Sequence, residues 1–312
     1  MANQFISDND LKSVEHLLTH TESFMNHVHI INQSFNLLPD KIHIGTTINF
    51  VDMEEYREEF VDELVNTICD WVYSNEKAQK IIDQFISEEN RSLQNAHSKL
   101  RRIAIKYFRD RDGRDLNLQG QFGELLLFNY IQHFFRAVPL IRKMPITTST
   151  GHERFGADAI HYKYEDNKNI IYLGESKVYT ASYRFKAAFE NSVTSIISTY
   201  HSHRKELGLY IISDFLDEEL VKIAQKYKRG ILTNTEIHMV CLIGYNETTE
   251  ITRDSEEVIK KSIEEVLIDK CTNLDKAFFD DIAVNLLTRI NYILFPVWKL
   301  DELVEEFQNQ IR

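Results

Sequence analysis

The sequence predicts an α/β (α+β) protein in which a mixed β-sheet core is flanked by helices, with helical segments at the N- and C-terminal ends. Two observations predict this fold class. The 312 residues are 43% apolar and 27% charged, which is enough apolar material for a sizeable core and excludes a chain that is disordered throughout. Between residues 119 and 245 the periodicity follows the order helix, strand, strand, helix, strand, helix, strand.

The first 110 residues are predicted to be mainly helical and to form a partner-binding or regulatory region. A short strand is predicted at residues 27–33 (HVHIINQ). Apolar residues then recur at helical spacing from Met53 to Tyr73, and acidic residues fill the other face of that helix. A further helical stretch runs from Glu76 to about Phe108, with a break near Asn90.

Residues 111–250 are predicted to form the sheet core. An apolar helix at 119–136 precedes two strands, DAIHYKY and NIIYLGESKVY, and the residues EDNK between them indicate a hairpin. The elements predicted after the hairpin are a helix from Tyr183 to about Arg204, a strand in the apolar run LGLYIIS, a helix from Asp217 to Tyr227 and a strand at EIHMVCLIGY.

Residues 251–312 are predicted to be a helical segment that packs on this core. Helical periodicity resumes at Asp254 and includes an apolar stretch from Ile282 to Phe295. Pro296 is expected to end or kink that helix, because proline cannot donate the backbone hydrogen bond of a helix interior.

Cysteine usage predicts a cytoplasmic protein with reduced thiols. Cys69, Cys241 and Cys271 are odd in number and widely spaced, so they fit neither a disulfide framework nor a CxxC zinc site. The N-terminus lacks the basic and apolar regions of an export signal, and no window of about 18 apolar residues could span a membrane. We therefore expect a cytoplasmic location and no membrane partner.

The charge of the chain is distributed unevenly. The net charge of −12 argues, taken whole, against affinity for nucleic acid. Residues 1–100 carry −10, residues 101–240 carry +5 and residues 241–312 carry −7. The acidic total therefore does not exclude DNA as a partner of the basic middle, and it suggests that access to DNA is restricted.

One strand of the predicted hairpin carries charged residues where apolar ones are expected. Side chains alternate along a strand, so Ile171, Leu173, Glu175 and Lys177 project to the same face. A carboxylate and an ammonium on a buried face are costly unless the charges are paired or bind a metal. Asp158 opens the preceding strand, and its carboxylate is expected to converge on the same place.

These residue types suit metal-assisted cleavage of a phosphodiester bond. Mg²⁺ or Mn²⁺ prefers oxygen ligands, which the carboxylates of Asp158 and Glu175 and the backbone carbonyl of Ser176 can supply. A bound ion lowers the pKa of a water molecule and offsets charge on the phosphate. Lys177 can orient that water or stabilise the transition state.

Two alternatives stay open at this point. Glu175 and Lys177 can form a structural ion pair at the exposed edge of the sheet, in which case nothing else polar converges there. A nuclease-like fold can also be a catalytically inactive adaptor that binds DNA or a partner protein. The histidine pairs at 27/29 and 201/203 lack the companions of a metal site and are assigned to packing or the surface.

The arrangement resembles the PD-(D/E)XK nuclease superfamily, whose motif is matched by GAD at 156–158 and ESK at 175–177. The superfamily's proline is missing, because Gly156 and Ala157 precede Asp158. The resemblance covers about residues 119–245 and implies a restriction-endonuclease-like core. It also implies that Glu124, in QFGELLLF, is the catalytic acid on the preceding helix.

The combination of GELLL, GADAIHY, YLGESKVY and SYRFKAAFENS is similar to the HamA family of Hachiman anti-phage defence systems. That resemblance implies a DNA nuclease whose partner is HamB, a superfamily 2 helicase. Asp158, Glu175 and Lys177 would be its catalytic core.

A basic stretch at residues 99–114 offers a candidate DNA-binding surface. It holds seven basic and two acidic residues, and Arg101, Arg102, Lys106 and Arg109 could follow a nucleic-acid backbone. The same stretch could instead dock on the acidic helices. On the helix after the hairpin, Lys186 could reach a phosphate or could belong to a solvated face.

Overall fold

A seven-stranded mixed sheet forms the centre of the computed structural model, which describes residues 14–107, 118–141, 156–181, 184–210 and 217–312. Its strands lie in the order β1-β2-β9-β8-β7-β6-β5, and β3 and β4 form a separate small hairpin. The strands are β1 (Val28–Gln33), β2 (His43–Ile48), β3 (Phe50–Val51), β4 (Glu54–Glu55), β5 (Val138–Ile141), β6 (Ala159–Glu165), β7 (Lys168–Tyr179), β8 (Thr235–Glu247) and β9 (Ile290–Trp298).

Helices cover both faces of the sheet. They are α1 (Glu22–Met25), α2 (Arg57–Asn66), α3 (Ile68–Val72), α4 (Asn75–Glu89), α5 (Leu93–Ile105), α6 (Leu118–Phe135), α7 (Phe185–Tyr210), α8 (Glu218–Lys228), α9 (Glu256–Thr272), α10 (Val284–Leu287) and α11 (Leu300–Ile311). Apolar residues of α7, α8 and α9 pack on one face, and those of α2, α3, α6 and α11 pack on the other. Among the described helices, none is long and apolar enough to cross a membrane.

The predicted fold class and the central elements are confirmed. The helix predicted at 119–136 is α6, and the two strands after it are β6 and β7, which pair in antiparallel fashion. Asp166 and Asn167 both have positive φ in the turn between them, a conformation typical of a tight two-residue hairpin. The break predicted near Asn90 is also found, where Asn90 is left-handed between α4 and α5.

Two predicted elements of the middle and N-terminal regions need correction, and two strands were not predicted. The helix predicted from Met53 to Tyr73 is divided, because Glu54 and Glu55 belong to β4 and the helical part begins at Arg57. The strand predicted at LGLYIIS is wrong for residues 207–210, which continue α7, and its remaining residues lie outside the described part of the chain. β2 and β5 lie in stretches that were not predicted as strands.

The helix predicted from Ile282 to Phe295 is wrong, because Ile290–Trp298 forms β9 in the interior of the sheet. β9 is apolar on both faces, and such a run has no period that separates a buried strand from a buried helix. Pro296 is accommodated because backbone pairing of β9 with β2 ends at Leu294. Beyond that point, the Thr47 hydroxyl donates to the Pro296 carbonyl at 3.1 Å.

All three parts of the chain contribute strands to the same sheet. β1 and β2 come from the N-terminal region and β9 comes from the C-terminal segment. β9 pairs in parallel with β8, which pairs in parallel with β7. The candidate site on β7 is therefore held by a sheet that depends on both ends of the chain.

Candidate active site

The open end of the β6–β7 hairpin brings together the residues singled out from the sequence. The antiparallel ladder ends at the pair Ala159 and Gly174. One residue further, the backbone N–H of Asp158 donates to the Gly174 carbonyl at 2.8 Å. The backbone N–H of Ser176 then donates to Asp158 Oδ2 at 2.8 Å, so the Asp158 side chain continues the pairing that the β6 backbone has ended.

This geometry directs a backbone oxygen of β7 toward Asp158. The N–H and C=O of one residue point to the same side of an extended strand. Because the Ser176 N–H points to Asp158, the Ser176 carbonyl also points to that side, beyond the last β6 backbone pair. A carboxylate and a carbonyl oxygen therefore face the same open end of the hairpin.

Glu175 lies on the face of β7 that is packed by α7. Ile171 and Leu173, four and two residues before it, are fully buried on this face, as the alternation predicted. Glu175 itself is only 3% exposed. Its Oε1 accepts hydrogen bonds from Lys177 Nζ at 2.6 Å and from Ser195 Oγ at 2.7 Å.

The electrostatics of the pair are set by burial and by Asp158. Burial raises the pKa of the Glu175 carboxyl, and the negative charge of Asp158 raises it further; Lys177 and Ser195 act in the opposite direction without cancelling this shift. Burial lowers the pKa of Lys177, but the Glu175 and Asp158 carboxylates and Tyr179 together outweigh burial, so that the net pKa of Lys177 is raised. Lys177 is therefore a protonated donor at neutral pH.

The oxygen donors of this site suit a hard divalent cation. The Asp158 and Glu175 carboxylates interact electrostatically, and the Ser176 carbonyl faces the same side as Asp158. Lys177 stays 30% exposed, so its ammonium can reach a ligand in solvent. Within the described residues, no group of three or more histidine, cysteine, aspartate or glutamate side chains could hold a metal. A cation here would thus rely on two carboxylates and backbone or water oxygens.

Glu124 lies on α6, on the other side of the sheet from Glu175. Its neighbour Gly123 packs directly on β7, where an added Cβ would lie 2.3 Å from Ser176 Oγ and 2.6 Å from Val178 Cγ2. Ser176 and Val178 point to the face opposite Glu175. Among the described residues, Glu124 forms no three-carboxylate group with Asp158 and Glu175, and its role as the catalytic acid on the helix stays a prediction.

The predicted phosphate-binding residues lie on two different helices. Arg101 and Arg102 are exposed on α5, and Lys106 is exposed just after that helix. Lys186 is exposed on α7 and lies 3.7 Å from Glu190. Arg109 lies outside the described residues.

The sequence analysis did not identify Ser195 as a hydrogen-bond donor to Glu175. Small polar residues recur on the sheet-facing side of α7, where Ser192 is fully buried and Thr199 is almost so. A serine within the apolar face of a helix is the sequence signal that could have pointed to Ser195, because a buried hydroxyl needs a hydrogen-bond partner. Its partner could not be inferred, because the sequence does not give the docking of α7 on β7.

A mixed sheet flanked by helices, with two carboxylates and a lysine at the open end of a hairpin, defines an α/β protein with a restriction-endonuclease-like core. The chain belongs to the HamA family, whose model matches residues 22–311. HamA is a component of the Hachiman anti-phage defence system. No curated protein and no solved structure matches the chain.

Proposed function

We propose that the chain is a metal-dependent DNA nuclease, the effector of a Hachiman system, and that a HamB-like superfamily 2 helicase controls it. The observation that supports this proposal is the convergence of Asp158, Glu175 and Lys177 at the open end of the hairpin. Metal-dependent phosphodiester hydrolysis uses carboxylates that hold the metal and a cation that stabilises developing charge. Membership of the HamA family supports the defence role.

Asp158 and Glu175 would hold Mg²⁺ or Mn²⁺, with the Ser176 carbonyl as a further oxygen ligand. The buried Glu175 carboxylate supports this fit, because a nearby cation would stabilise a charge that burial and Asp158 disfavour. When bound, the ion would lower the pKa of a water molecule and offset charge on the scissile phosphate.

The protein itself orients these groups. The Ser176 N–H fixes the Asp158 carboxylate, and the Ser195 hydroxyl and Lys177 ammonium fix that of Glu175. Groups that are already oriented need little reorganisation during the reaction. Lys177, being protonated and partly exposed, would donate to the phosphate or to the attacking water.

The exposed basic residues would bind the DNA backbone. Arg101, Arg102 and Lys106 would contact phosphates from α5 and its end, and Lys186 would do so from α7, without reading sequence. The acidic ends of the chain would restrict access of DNA until the helicase partner signals.

Degradation of DNA by the purified chain with its helicase partner and Mg²⁺ tests the proposal. We expect Glu175→Gln and Lys177→Ala each to lower the cleavage rate by about 10²-fold or more, because each removes a charge placed at the reacting phosphate. The matched control is Lys163→Ala and Glu165→Gln, which removes another Lys–Glu ion pair of the same hairpin, 2.7 Å apart. This control should cleave like the wild type.

The outcomes separate the enzyme from the adaptor. Thermal melting should show that both site variants remain folded. A wild-type complex that binds DNA but leaves it intact would favour the catalytically inactive adaptor. Equal losses of cleavage rate in the site and control variants would show that Glu175 and Lys177 have no specific role in cleavage.

A further inference from the structure

A hydrogen bond between Tyr179 and Asn191 lies next to the candidate active site but includes none of its carboxylates. Asn191 Nδ2 donates to the phenolic oxygen of Tyr179 at 3.0 Å. Tyr179 is the last residue of β7, and Asn191 lies on α7. The strand that carries Glu175 and Lys177 thus has a further polar contact with the helix that supplies Ser195.

Tyr179 lies on the same face of β7 as Glu175 and Lys177. The pairing of β7 with β8 continues in unbroken register to Tyr179, opposite Tyr245, so the alternation of side chains is kept. The strand rises roughly 7 Å from Lys177 to Tyr179. The Lys177 ammonium turns back to Glu175, at 2.6 Å, whereas the Tyr179 phenol is held by α7. Lys177 and Tyr179 therefore occupy successive positions along one face of the strand, and they are close enough to interact electrostatically.

The phenol of Tyr179 can donate a hydrogen bond to a ligand. Its oxygen accepts from Asn191, which leaves its own O–H as a donor. Within the described part of the chain, no acceptor receives this O–H. Tyr179 is partly exposed and Asn191 is exposed, so the hydrogen-bonded pair faces solvent. A ligand that brings an acceptor to this position would replace water there.

An anionic acceptor suits this position. The Lys177 ammonium lies two residues away, and the Asn191 amide is a donor. The carboxylate of Glu190, next to Asn191 on α7, lies 3.7 Å from the Lys186 ammonium, which offsets its charge. A nucleic-acid strand that places its scissile phosphate at the metal site carries another phosphate one nucleotide further on. Tyrosine hydroxyls are common donors to such phosphate oxygens.

We propose that the phenolic O–H of Tyr179 binds the phosphate adjacent to the scissile one along the strand, and that Asn191 is the positioning residue that holds the phenol. This contact rests on the proposed nuclease function and adds a substrate requirement to it, because the site then engages two successive phosphates of one strand. The adjacent phosphate keeps its charge during the reaction. Loss of the contact therefore weakens binding of substrate and transition state equally, which raises KM and leaves kcat nearly unchanged.

Steady-state cleavage by the chain with its helicase partner and Mg²⁺ tests this contact, using a DNA oligonucleotide and bis-p-nitrophenyl phosphate, which has a single phosphate. Tyr179→Phe keeps the ring and removes the donor. Its KM for the oligonucleotide should rise about tenfold, because a hydrogen bond to a charged group is lost. Its cleavage of the single-phosphate substrate should be unchanged. Asn191→Leu should raise KM for the oligonucleotide by a smaller factor and also leave the single-phosphate substrate unaffected.

The β6–β7 hairpin offers a matched control at its other end. The Tyr164 hydroxyl donates to Asn167 Oδ1 at 2.7 Å, so Tyr164→Phe removes another exposed tyrosine–asparagine hydrogen bond. The 12 residues of β7 place that turn roughly 35 Å from Tyr179 along the strand. Tyr164→Phe should cleave both substrates like the wild type.

A wild-type KM of Tyr179→Phe for the oligonucleotide would overturn the phosphate contact. If Tyr179→Ala then had a raised KM, the ring would stack on a base instead of donating to a phosphate. Equal losses of Tyr179→Phe on the two substrates would also overturn the contact, because they would assign Tyr179 to the structure of the site.

Failure of the proposed nuclease function is a separate result, in which the wild type cleaves neither substrate. Fluorescence anisotropy of a labelled oligonucleotide in the presence of Mg²⁺ then tests the phosphate contact without cleavage. The Kd should rise about tenfold in Tyr179→Phe and stay at the wild-type value in Tyr164→Phe. Equal Kd values for the two variants, or no binding by the wild type, would overturn the contact. Thermal melting of every variant separates loss of binding from loss of folding.

Discussion

Ser195 and Glu175 show how one residue from a helix completes a site that a strand presents. Glu175 is buried, and its carboxylate is held by a hydroxyl from α7 and an ammonium from its own strand. The two donors differ in what they supply. Lys177 supplies charge, whereas Ser195 supplies only a hydrogen bond and therefore acts on the orientation of the carboxylate.

Replacing Ser195 by alanine should lower the proposed cleavage rate by about tenfold, because the loss of one hydrogen bond lets Glu175 reorient. Ser195→Thr keeps the hydroxyl and should retain more activity than the alanine variant. The control Ser198→Ala lies one turn further along α7 at an exposed position and should have no effect. A Ser195→Ala enzyme with wild-type rate at saturating Mg²⁺ would show that the hydroxyl does not position the carboxylate.

The pH dependence of stability reports on Glu175 itself. Its pKa is raised above the ordinary value of 4.5 in the folded state, so the unfolded chain releases its proton at lower pH than the folded chain does. The protonated Glu175 carboxyl therefore contributes to the free energy of unfolding at low pH, and this contribution is lost as the pH rises through the pKa of Glu175 in the folded chain. Glu175→Gln cannot lose that proton, so its stability relative to the wild type should increase as the pH rises above the ordinary pKa of 4.5. Urea unfolding in the presence of EDTA measures this difference, and a flat or falling difference would contradict the raised pKa.

At the scale of elements, the site depends on how closely α6 approaches β7. Gly123 leaves room for Ser176 and Val178, and Gly174 lies against Leu127 and Ile131 of the same helix. The Gln119 side chain also donates to the Val178 carbonyl. α6 packs on one face of β7, and Glu175 lies on the other. A displacement of this helix would therefore shift the β7 backbone and change the position of Glu175 relative to Asp158.

Gly123→Ala should therefore reduce both stability and the proposed activity. The added Cβ would lie 2.3 Å from Ser176 Oγ, and such overpacking costs about 1–3 kcal/mol of the free energy of unfolding. Gly230→Ala is the comparison, because Gly230 has φ +70 and no atom within 4 Å of an added Cβ. Urea unfolding and DNA cleavage should show that Gly230→Ala lowers stability without lowering the cleavage rate. An unchanged cleavage rate of a destabilised Gly123→Ala enzyme would show that the packing of α6 on β7 does not affect the candidate active site.

These elements differ in how well the sequence predicts them. The β6–β7 hairpin could be predicted because its turn residues and its alternation agree, and the charges at 175 and 177 stand out only because their neighbours on that face are apolar. β9 could not be predicted, because both of its faces are buried and its proline suggested a helix end. The contact of Ser195 with Glu175 and that of Arg57 with the end of β9 join elements distant in sequence, and no local pattern encodes them.

At the scale of the whole molecule, charge and position in the sheet are related. β1, β2 and β9 come from the two acidic ends of the chain and form one half of the sheet, whereas β5, β6 and β7 come from the basic middle and form the other. The candidate active site belongs to the second half. The proposed DNA cleavage thus takes place in the half of the sheet that comes from the segment of the chain with a net positive charge.

The interleaving of these segments predicts that residues 111–250 do not fold alone. That fragment lacks β9, which covers one edge of β8 along the register from Met239 to Glu247. It also lacks α11, whose Leu303 and Phe307 are fully buried with α6 residues in the same core. The fragment would expose the β8 edge together with a large apolar surface, which favours aggregation over folding.

Circular dichroism during urea unfolding should show a cooperative transition for the full chain and none for the fragment, while co-expression of residues 1–110 and 251–312 should restore it. A monomeric fragment with a cooperative transition would show that the sheet of the middle segment is self-sufficient, and the acidic ends would then be regulatory additions instead of structural parts of the sheet.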